Sequence, residues 1–317
     1  MTGASPIERI SALPGGDALP FRGPIYKFEA GSGAAVRSAR LDDILKRRDA
    51  LVDSAGNTVQ SDLERIASEI GQRMVDELEG RGLGSLSLAV DTVQLEEIMG
   101  ILAELGLDET QRAWFDNLRR LAGLAEDAAV AAGIDRRTAT LDQEGLATAL
   151  QARYQDAATW WDATIERPMA QTILDGLHDA RAMTTTADIA TRISKRTGLT
   201  VPRAWSEAVT QTAVVDRFVS AEIAKSADPD GDALRWGYLG PVDGIQRRFC
   251  QHLTGRYFRF AQLGALDNGT SLPHPIFSCG GYRCRHRWSQ APVAFWRSRG
   301  FTEGDASDIA AANAGAA

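Results

Sequence analysis

The residues best able to do chemistry in this 317-residue chain are crowded into one window. All three cysteines fall between Cys250 and Cys284, and three of the four histidines, His252, His274 and His286, lie in or beside that stretch. Its parts read Arg247-Arg248-Phe249-Cys250-Gln251-His252, then His274-Pro275, then Cys279-Gly280-Gly281-Tyr282-Arg283-Cys284-Arg285-His286-Arg287-Trp288. Three chemistries are open to such a set. Zinc takes four Cys or His ligands, usually as close pairs. Cys284 and His286 form one close pair, Cys279 stands five residues upstream of Cys284 beside two flexible glycines, and Cys250 completes four, with His252 or His274 as substitutes. The C-x₂-C pair of a standard finger or ribbon is missing. A disulfide, Cys279–Cys284 or Cys250–Cys284, is the second option and would suit an assembled extracellular particle. The third is packing, with cysteine as a small apolar group and histidine bonded to backbone.

Catalysis is the weaker reading of the same residues. A Cys–His pair makes a thiolate nucleophile, and neighbouring arginines lower a thiol's pKa. No residue is clearly placed as the orienting third group, and no nucleophile elbow or oxyanion motif is present. The carboxylates nearby are few: Asp232, Asp243 and Asp267. The expectation is a protein that is not an enzyme and has no catalytic residues. A toxin or peptidase using Cys250 or Cys284 with His286 stands as an alternative, as does a zinc-stabilised nucleic-acid-binding module.

Charge is divided unevenly around this window. The chain carries a net charge of −7, yet residues 231–300 hold ten arginines, no lysine and three acids, a local net of +7. An acidic body therefore carries an arginine-only head. Arg247, Arg248, Arg283, Arg285 and Arg287 are the candidate contacts of that head with nucleic acid, an acidic protein surface or the chain's own acidic body. Any contact with DNA would be sequence-independent and salt-sensitive, because no groove-reading element is evident. The odd cysteine count excludes a full disulfide framework and points to a reduced compartment. No apolar run approaches the roughly 18 residues of a membrane span, so no membrane anchor is expected. Met1-Thr2-Gly3-Ala4-Ser5-Pro6 lacks a charged region followed by an apolar stretch, so no secretory signal is expected.

The elements that must position the window are mainly helical. Residues 1–40 are rich in Gly, Pro, Ser and Ala and read as an extended arm, with a short strand at Ile25–Phe28. Gly31-Ser32-Gly33 lacks the third glycine of a dinucleotide fingerprint. Residues 41–184 read as a helical body. Asp91 is placed to cap a helix striped by Leu95, Ile98, Met99, Leu102 and Leu105, ended by Gly106. Asp108 opens the next helix, with Trp114, Phe115, Leu118 and Leu121 as its buried stripe. A long helix over about 142–181 should kink at Pro168, and His178 on it reads as a packed or surface histidine. Helices follow at about 187–196 and from Pro202 to about Lys225. Asp228-Pro229-Asp230-Gly231-Asp232 mimics a calcium loop, but its glycine is misplaced and Leu239 stands where a bidentate Glu is required, so it reads as a turn. Strands are expected at Leu234–Leu239 and Arg256–Phe258, then a short helix from Phe260 to Leu266. The fold class is thus mainly α, with a small C-terminal α+β module rich in irregular loops over 185–300 and a flexible tail over 301–317.

The order Trp236, Asp243, Arg248-Phe249-Cys250, Gly255, Leu266-Asp267-Asn268-Gly269, His274-Pro275, Cys279-Gly280-Gly281-Tyr282, Cys284-Arg285-His286-Arg287-Trp288 and Pro292 resembles the C-terminal module of the phage Mu F-like head-morphogenesis family. The resemblance covers about residues 185–295. Many members carry a second cysteine three residues after the first, where this chain has Leu253. What carries over is the set Cys250, Cys279, Cys284 and His286, as a zinc site or a structural knot. The resemblance implies a structural minor head protein of a tailed bacteriophage or prophage. It would be associated with portal and capsid proteins, with packaged DNA as a further partner. It would act in head assembly, DNA packaging or DNA delivery, in the virion head and, during assembly, in the host cytoplasm.

Overall fold

Helical periodicity read from the sequence becomes helix over the described residues of the body in the computed structural model, which describes residues 34–81, 86–132, 143–179, 185–228, 230–243 and 245–316. In chain order the helices are α1 (Ala34–Gly80), α2 (Leu86–Asp91), α3 (Leu95–Glu104), α4 (Leu107–Ala131), α5 (Gln143–Trp161), α6 (Arg167–Asp179), α7 (Thr186–Gly198) and α8 (Val201–Ala227). A mixed segment follows: β1 (Leu234–Leu239), α9 (Arg248–Leu253), β2 (Arg256–Phe258), α10 (Phe260–Leu263), α11 (Pro275–Ser278), β3 (Arg287–Pro292), α12 (Val293–Ser298), β4 (Thr302–Glu303) and α13 (Ala306–Ala314). The architecture is mainly helical with one small sheet, as the sequence leads one to expect. Among the described residues no helix is long and apolar enough to cross a membrane. The strand expected at Ile25–Phe28 and the first 33 residues of the expected arm lie outside the described residues, whereas residues 34–40 already belong to α1.

The chain divides into two compact units, and their boundaries differ from those expected at 40, 184 and 300. The first unit comprises Met1–Val52, Leu118–Arg153 and Thr210–Ala317; the second comprises Asp53–Asn117 and Tyr154–Val209. The reason is that α1, α4, α5 and α8 each contribute residues to both units, so no single cut in the sequence separates them.

The second unit is built from helices whose buried stripes match their periodicity. Leu63, Ile66, Ile70 and Met74 of α1, Ile98 and Leu102 of α3, and Ile165, Ile173 and Leu177 are all buried. Trp114 packs its ring 5.2 Å from Phe115, 5.4 Å from Trp160 and 5.4 Å from Trp161. Gly71 lets α7 approach closely, since a Cβ there would fall 2.1 Å from the Ala190 carbonyl oxygen. Two boundaries differ from expectation. Asp91 ends α2, and the capping box of α3 is formed instead by Gln94 with Glu97, whose carboxylate accepts the Gln94 N–H at 3.0 Å. At Pro168 the chain inserts a π turn over Asp162–Glu166, with the Arg167 N–H reaching back five residues to Asp162. That wider turn accommodates a ring that would otherwise clash with the preceding turn.

The first unit carries the sheet, in the order β3-β1-β2-β4. Strand β1 pairs antiparallel with β3, Tyr238 opposite Trp288, and antiparallel with β2, Trp236 opposite Phe258. Alternation sends Leu234, Trp236 and Tyr238 to one face. There they meet Trp288, Phe258, Ala221 and Ala224 of α8, Phe249, Cys250 and Leu253 of α9, and Ile276, Ile309 and Ala312. The opposite face is covered as well: Ala291 and Tyr257 pack with Leu41, Ile44 and Leu45 of α1, Ala128 and Ala131 of α4, and Trp296 of α12. Gly237 makes room for the Trp296 ring, three atoms of which would lie within 2.7 Å of a Cβ at that position. The indole N–H of Trp296 is held between the carbonyl oxygens of Arg235 (3.0 Å) and Ala291 (3.1 Å).

One segment folds as the sequence reads it and another corrects the reading. Asp228 is a turn residue: its carboxylate accepts the N–H groups of Asp232, Ala233 and Leu234 at 2.7–3.2 Å. The expected flexible tail is built into the unit. β4 pairs parallel with β2, and Asp305 and Asp308 form a capping box for α13. Ile309 and Ala312 of α13 are buried in the core that holds α9. Alanine-rich composition here serves close helix approach and does not signal fraying.

Gly237→Ala should destabilise the first unit by about 2 kcal/mol, because the added methyl meets the Trp296 ring between two paired strands. Urea denaturation followed by tryptophan fluorescence checks this, and a change below about 0.5 kcal/mol would contradict the packing described.

Candidate functional site

Each member of the Cys/His window is set by a short element. Helix α9 is one turn and a half long, and it turns Phe249, Cys250 and Leu253 inward. Helix α11 begins with Pro275, and His274 caps it by accepting the Ile276 N–H on Nδ1 at 3.3 Å. The chain then reverses tightly over 278–284. Cys279 (φ 51°), Gly281 (φ 98°) and Arg283 (φ 53°) all adopt left-handed backbone, which two of them can do only with strain. Asn268 holds the start of the reversal, donating from Nδ2 to Ser278 Oγ (2.9 Å) and to the Cys279 carbonyl (2.6 Å). Cys284 N donates to the Gly281 carbonyl at 3.1 Å. β3 then leads away from His286 as the partner of β1.

This folding brings three of the four expected ligand residues together. Cys250 Sγ lies 3.6 Å from Cys284 Sγ, and Cys284 Sγ lies 3.8 Å from His286 Nδ1. The ligand atoms of Cys250, Cys284 and His286 all fall within 4.8 Å of one another, and all three residues are buried. Cys279 is buried nearby but is not part of this group. All three cysteines are free thiols. Neither substitute joins the cluster: His252 is exposed on α9, and His274 is occupied as a cap.

The surroundings fit tightly around the three atoms. The Gly280 N–H points at Cys284 Sγ from 3.2 Å, and a Cβ on Gly280 would fall 2.5 Å from Cys250 Sγ. A Cβ on Gly240 would fall 2.1 Å from the His286 ring. The Tyr238 ring stacks on that ring at 5.4 Å, and its hydroxyl lies 3.3 Å from Cys250 Sγ. The other ring nitrogen, Nε2, meets the side-chain amide of Gln246 at 3.1 Å. His286 thus has an amide where the histidine of a catalytic triad has an orienting carboxylate.

Electrostatics separates the thiols. The Cys284 thiol is held well below its usual pKa by the hydrogen bond with Cys250, then by His286 and the Arg217 cation. Cys250 is pushed up by the same bond and by burial. Burial pushes Cys279 up to about 12. The cluster therefore has one sulfur prepared to carry negative charge, held inside the core.

Arg217 organises the segment and is the main site residue not found in the sequence. It projects from α8 and donates to the carbonyl oxygens of Phe277 (3.0 Å), Cys284 (2.6 Å) and His286 (2.8 Å). Its neighbour Asp216 accepts from Arg48 of α1 at 2.7 and 3.0 Å, a buried ion pair that Ser220 also joins. The signal was present as Val214-Val215-Asp216-Arg217-Phe218-Val219, a charged pair within an apolar helical stretch. Such a pair survives in a core only when its partners are built around it.

The five arginines expected to form a contact face divide. Arg247, Arg248, Arg283 and Arg285 are exposed. Arg247 donates to the Tyr282 carbonyl at 2.7 Å, and Arg285 pairs with Asp243 through both carboxylate oxygens at 2.7 and 2.9 Å. Arg287 does not belong with them: its side chain is only 12% exposed, and it pairs with Asp49 and the Leu45 carbonyl of α1. It sits on the covered face of β3, so alternation removes it from the surface. Comparison with protein-family models, curated proteins and solved structures finds no match.

Arg217→Met should cost about 3 kcal/mol, since three inward-turned carbonyls lose a charged donor. Hydrogen exchange should accelerate at backbone amides within 277–288, with those of α3 and α4 near Trp114 unchanged. Uniform acceleration across the chain would contradict a local positioning role.

Proposed function

We propose that this chain is a structural minor head protein of a tailed bacteriophage or prophage, with a Mu F-like head-morphogenesis module over residues 185–300, of which the part from Thr210 onward belongs to the first unit. The observation that carries the reading is the fate of the motif residues. Trp236, Phe249, Cys250, Leu266, Cys279, Cys284 and Trp288, on which the resemblance rests, share one core, and His286 and Asn268 brace it. The motif is thus used to fold a small module. That supports an assembly protein over an enzyme, whose reactive groups need access to substrate.

The surface beside this core supports a protein partner. The loop between β1 and α9 exposes Val242 (82%) and Ile245 (79%) on either side of Asp243. Arg285 ties that loop to the 282–285 segment, which also presents Tyr282. Apolar side chains interleaved with arginine and tyrosine are the composition of protein interfaces. The partner in this reading is a portal or capsid protein with an acidic and apolar docking face. Arg247, Arg248 and Arg283 add sequence-independent attraction to packaged DNA.

Quantitative mass spectrometry of purified virions and proheads should find the chain at low copy relative to the major capsid protein. Absence from both particles would overturn the proposal. The double substitution Val242→Ser, Ile245→Ser should lower incorporation by about tenfold or more, consistent with loss of interface anchors, without lowering thermal stability.

A further inference from the structure

We infer that Cys250 Sγ, Cys284 Sγ and His286 Nδ1 bind a single zinc ion, with Cys279 outside the coordination sphere. Ligand spacing carries this site, independently of any role in a virion. Zinc–sulfur bonds of about 2.3 Å and zinc–nitrogen bonds of about 2.0–2.1 Å in a tetrahedron require S···S separations of about 3.8 Å and S···N separations of about 3.5 Å. The chain provides 3.6 Å between the sulfurs and 3.8 Å between Cys284 Sγ and His286 Nδ1. The third pair, Cys250 Sγ and His286 Nδ1, lies within 4.8 Å, so two of the three separations stand at tetrahedral spacing and the third closes with a shift of at most about 1.3 Å.

The surroundings of the three atoms are those of a metal site. A ligating thiolate keeps residual negative charge, which backbone N–H groups offset; the Gly280 N–H does this for Cys284 at 3.2 Å. A ligating histidine has its second nitrogen fixed by a partner. Here that partner is Gln246, 3.1 Å from Nε2, and Gln246 is in turn tied to Thr254 at 2.8 Å. With Nδ1 on the metal, Nε2 carries the proton, so the Gln246 amide, which faces the ring with its nitrogen, turns to offer its oxygen and releases Thr254 Oγ1. Gly240 and Gly280 are required because any side chain there would strike the His286 ring or the Cys250 sulfur. The donor set selects the ion, since two thiolates and an imidazole suit zinc and exclude magnesium or calcium.

Binding replaces two S–H protons. The zinc dication takes two thiolates and a neutral imidazole, two protons pass to solvent, and no oxidant or reductant is involved. The consequence is a bond between α9, which carries Cys250, and the 278–286 reversal, which carries the other two ligands. Three protein ligands leave a fourth position for solvent or another small donor.

The full chain, expressed in zinc-replete medium and purified without chelator, should contain one zinc per chain by plasma mass spectrometry. Cobalt substitution should give thiolate-to-metal charge-transfer absorption and visible bands of tetrahedral intensity. Cys250→Ser and Cys284→Ser should each abolish the charge-transfer pattern, Gln246→Ala should weaken metal affinity about tenfold or more, and Cys279→Ser should leave stoichiometry and spectrum intact. Should the serine variants fail to fold, titration of the wild-type chain with a chelator decides the matter through loss of the cobalt spectrum. A wild-type chain without zinc and without a cobalt–thiolate band would overturn the inference. So would a Cys279→Ser variant that loses the metal. Presence in virions is measured independently, so either proposal can fail alone.

Discussion

One buried guanidinium sets the geometry of the C-terminal module. Arg217 is enclosed by protein and satisfies its donors on carbonyl oxygens of a segment sixty to seventy residues away. A cation in a low-dielectric core is costly unless every donor is met. The segment 277–286 can therefore not slide or peel away without leaving that charge unsatisfied. Fixing those carbonyls fixes the direction of the Cys284 and His286 side chains, and the strained backbone of Cys279 and Arg283 persists because it is over-determined at both ends. The neighbouring Arg48–Asp216 pair extends the same logic to the start of α1.

The sheet is the second constraint, and it explains where sequence reasoning stopped. β1 is buried on both faces, so it needed cover from two directions. One cover is local: α9, α11 and α13 follow it in the chain. The other comes from Leu41–Leu45 and Ala128–Ala132, roughly a hundred to two hundred residues earlier. Local composition carries no mark of that pairing, which is why the boundary expected near residue 184 does not divide the two units.

Helices with strong stripes were legible, as were β1 and β2, because alternation and apolar periodicity are local properties. The cap of α3 moved from Asp91 to Gln94 because Glu97 three residues on completes a capping box with Gln94, while Asp91 is taken up as the last residue of α2. β3 escaped notice because Arg287-Trp288-Ser289-Gln290-Ala291-Pro292 reads as polar; its buried arginine is explained only by Asp49 of α1. The cysteine window was found from residue type alone, yet spacing could not tell that Cys279 stands apart from the other three. That distinction rests on the reversal at 278–284, where three residues of positive φ leave the Cys279 sulfur outside the close group of Cys250, Cys284 and His286.

The packing of α13 against the core of α9 has a consequence for synthesis. β2 gains its parallel neighbour, and the hydrophobic core its last cover, only from residues 302–314. A nascent chain therefore exposes Trp236, Phe258 and Leu263 on the ribosome until that segment has cleared the exit tunnel. Long-range closure of this kind is slow and leaves apolar strands open to wrong partners. The yield of correctly folded chain will thus be governed by how soon residues 302–314 reach the half-built sheet.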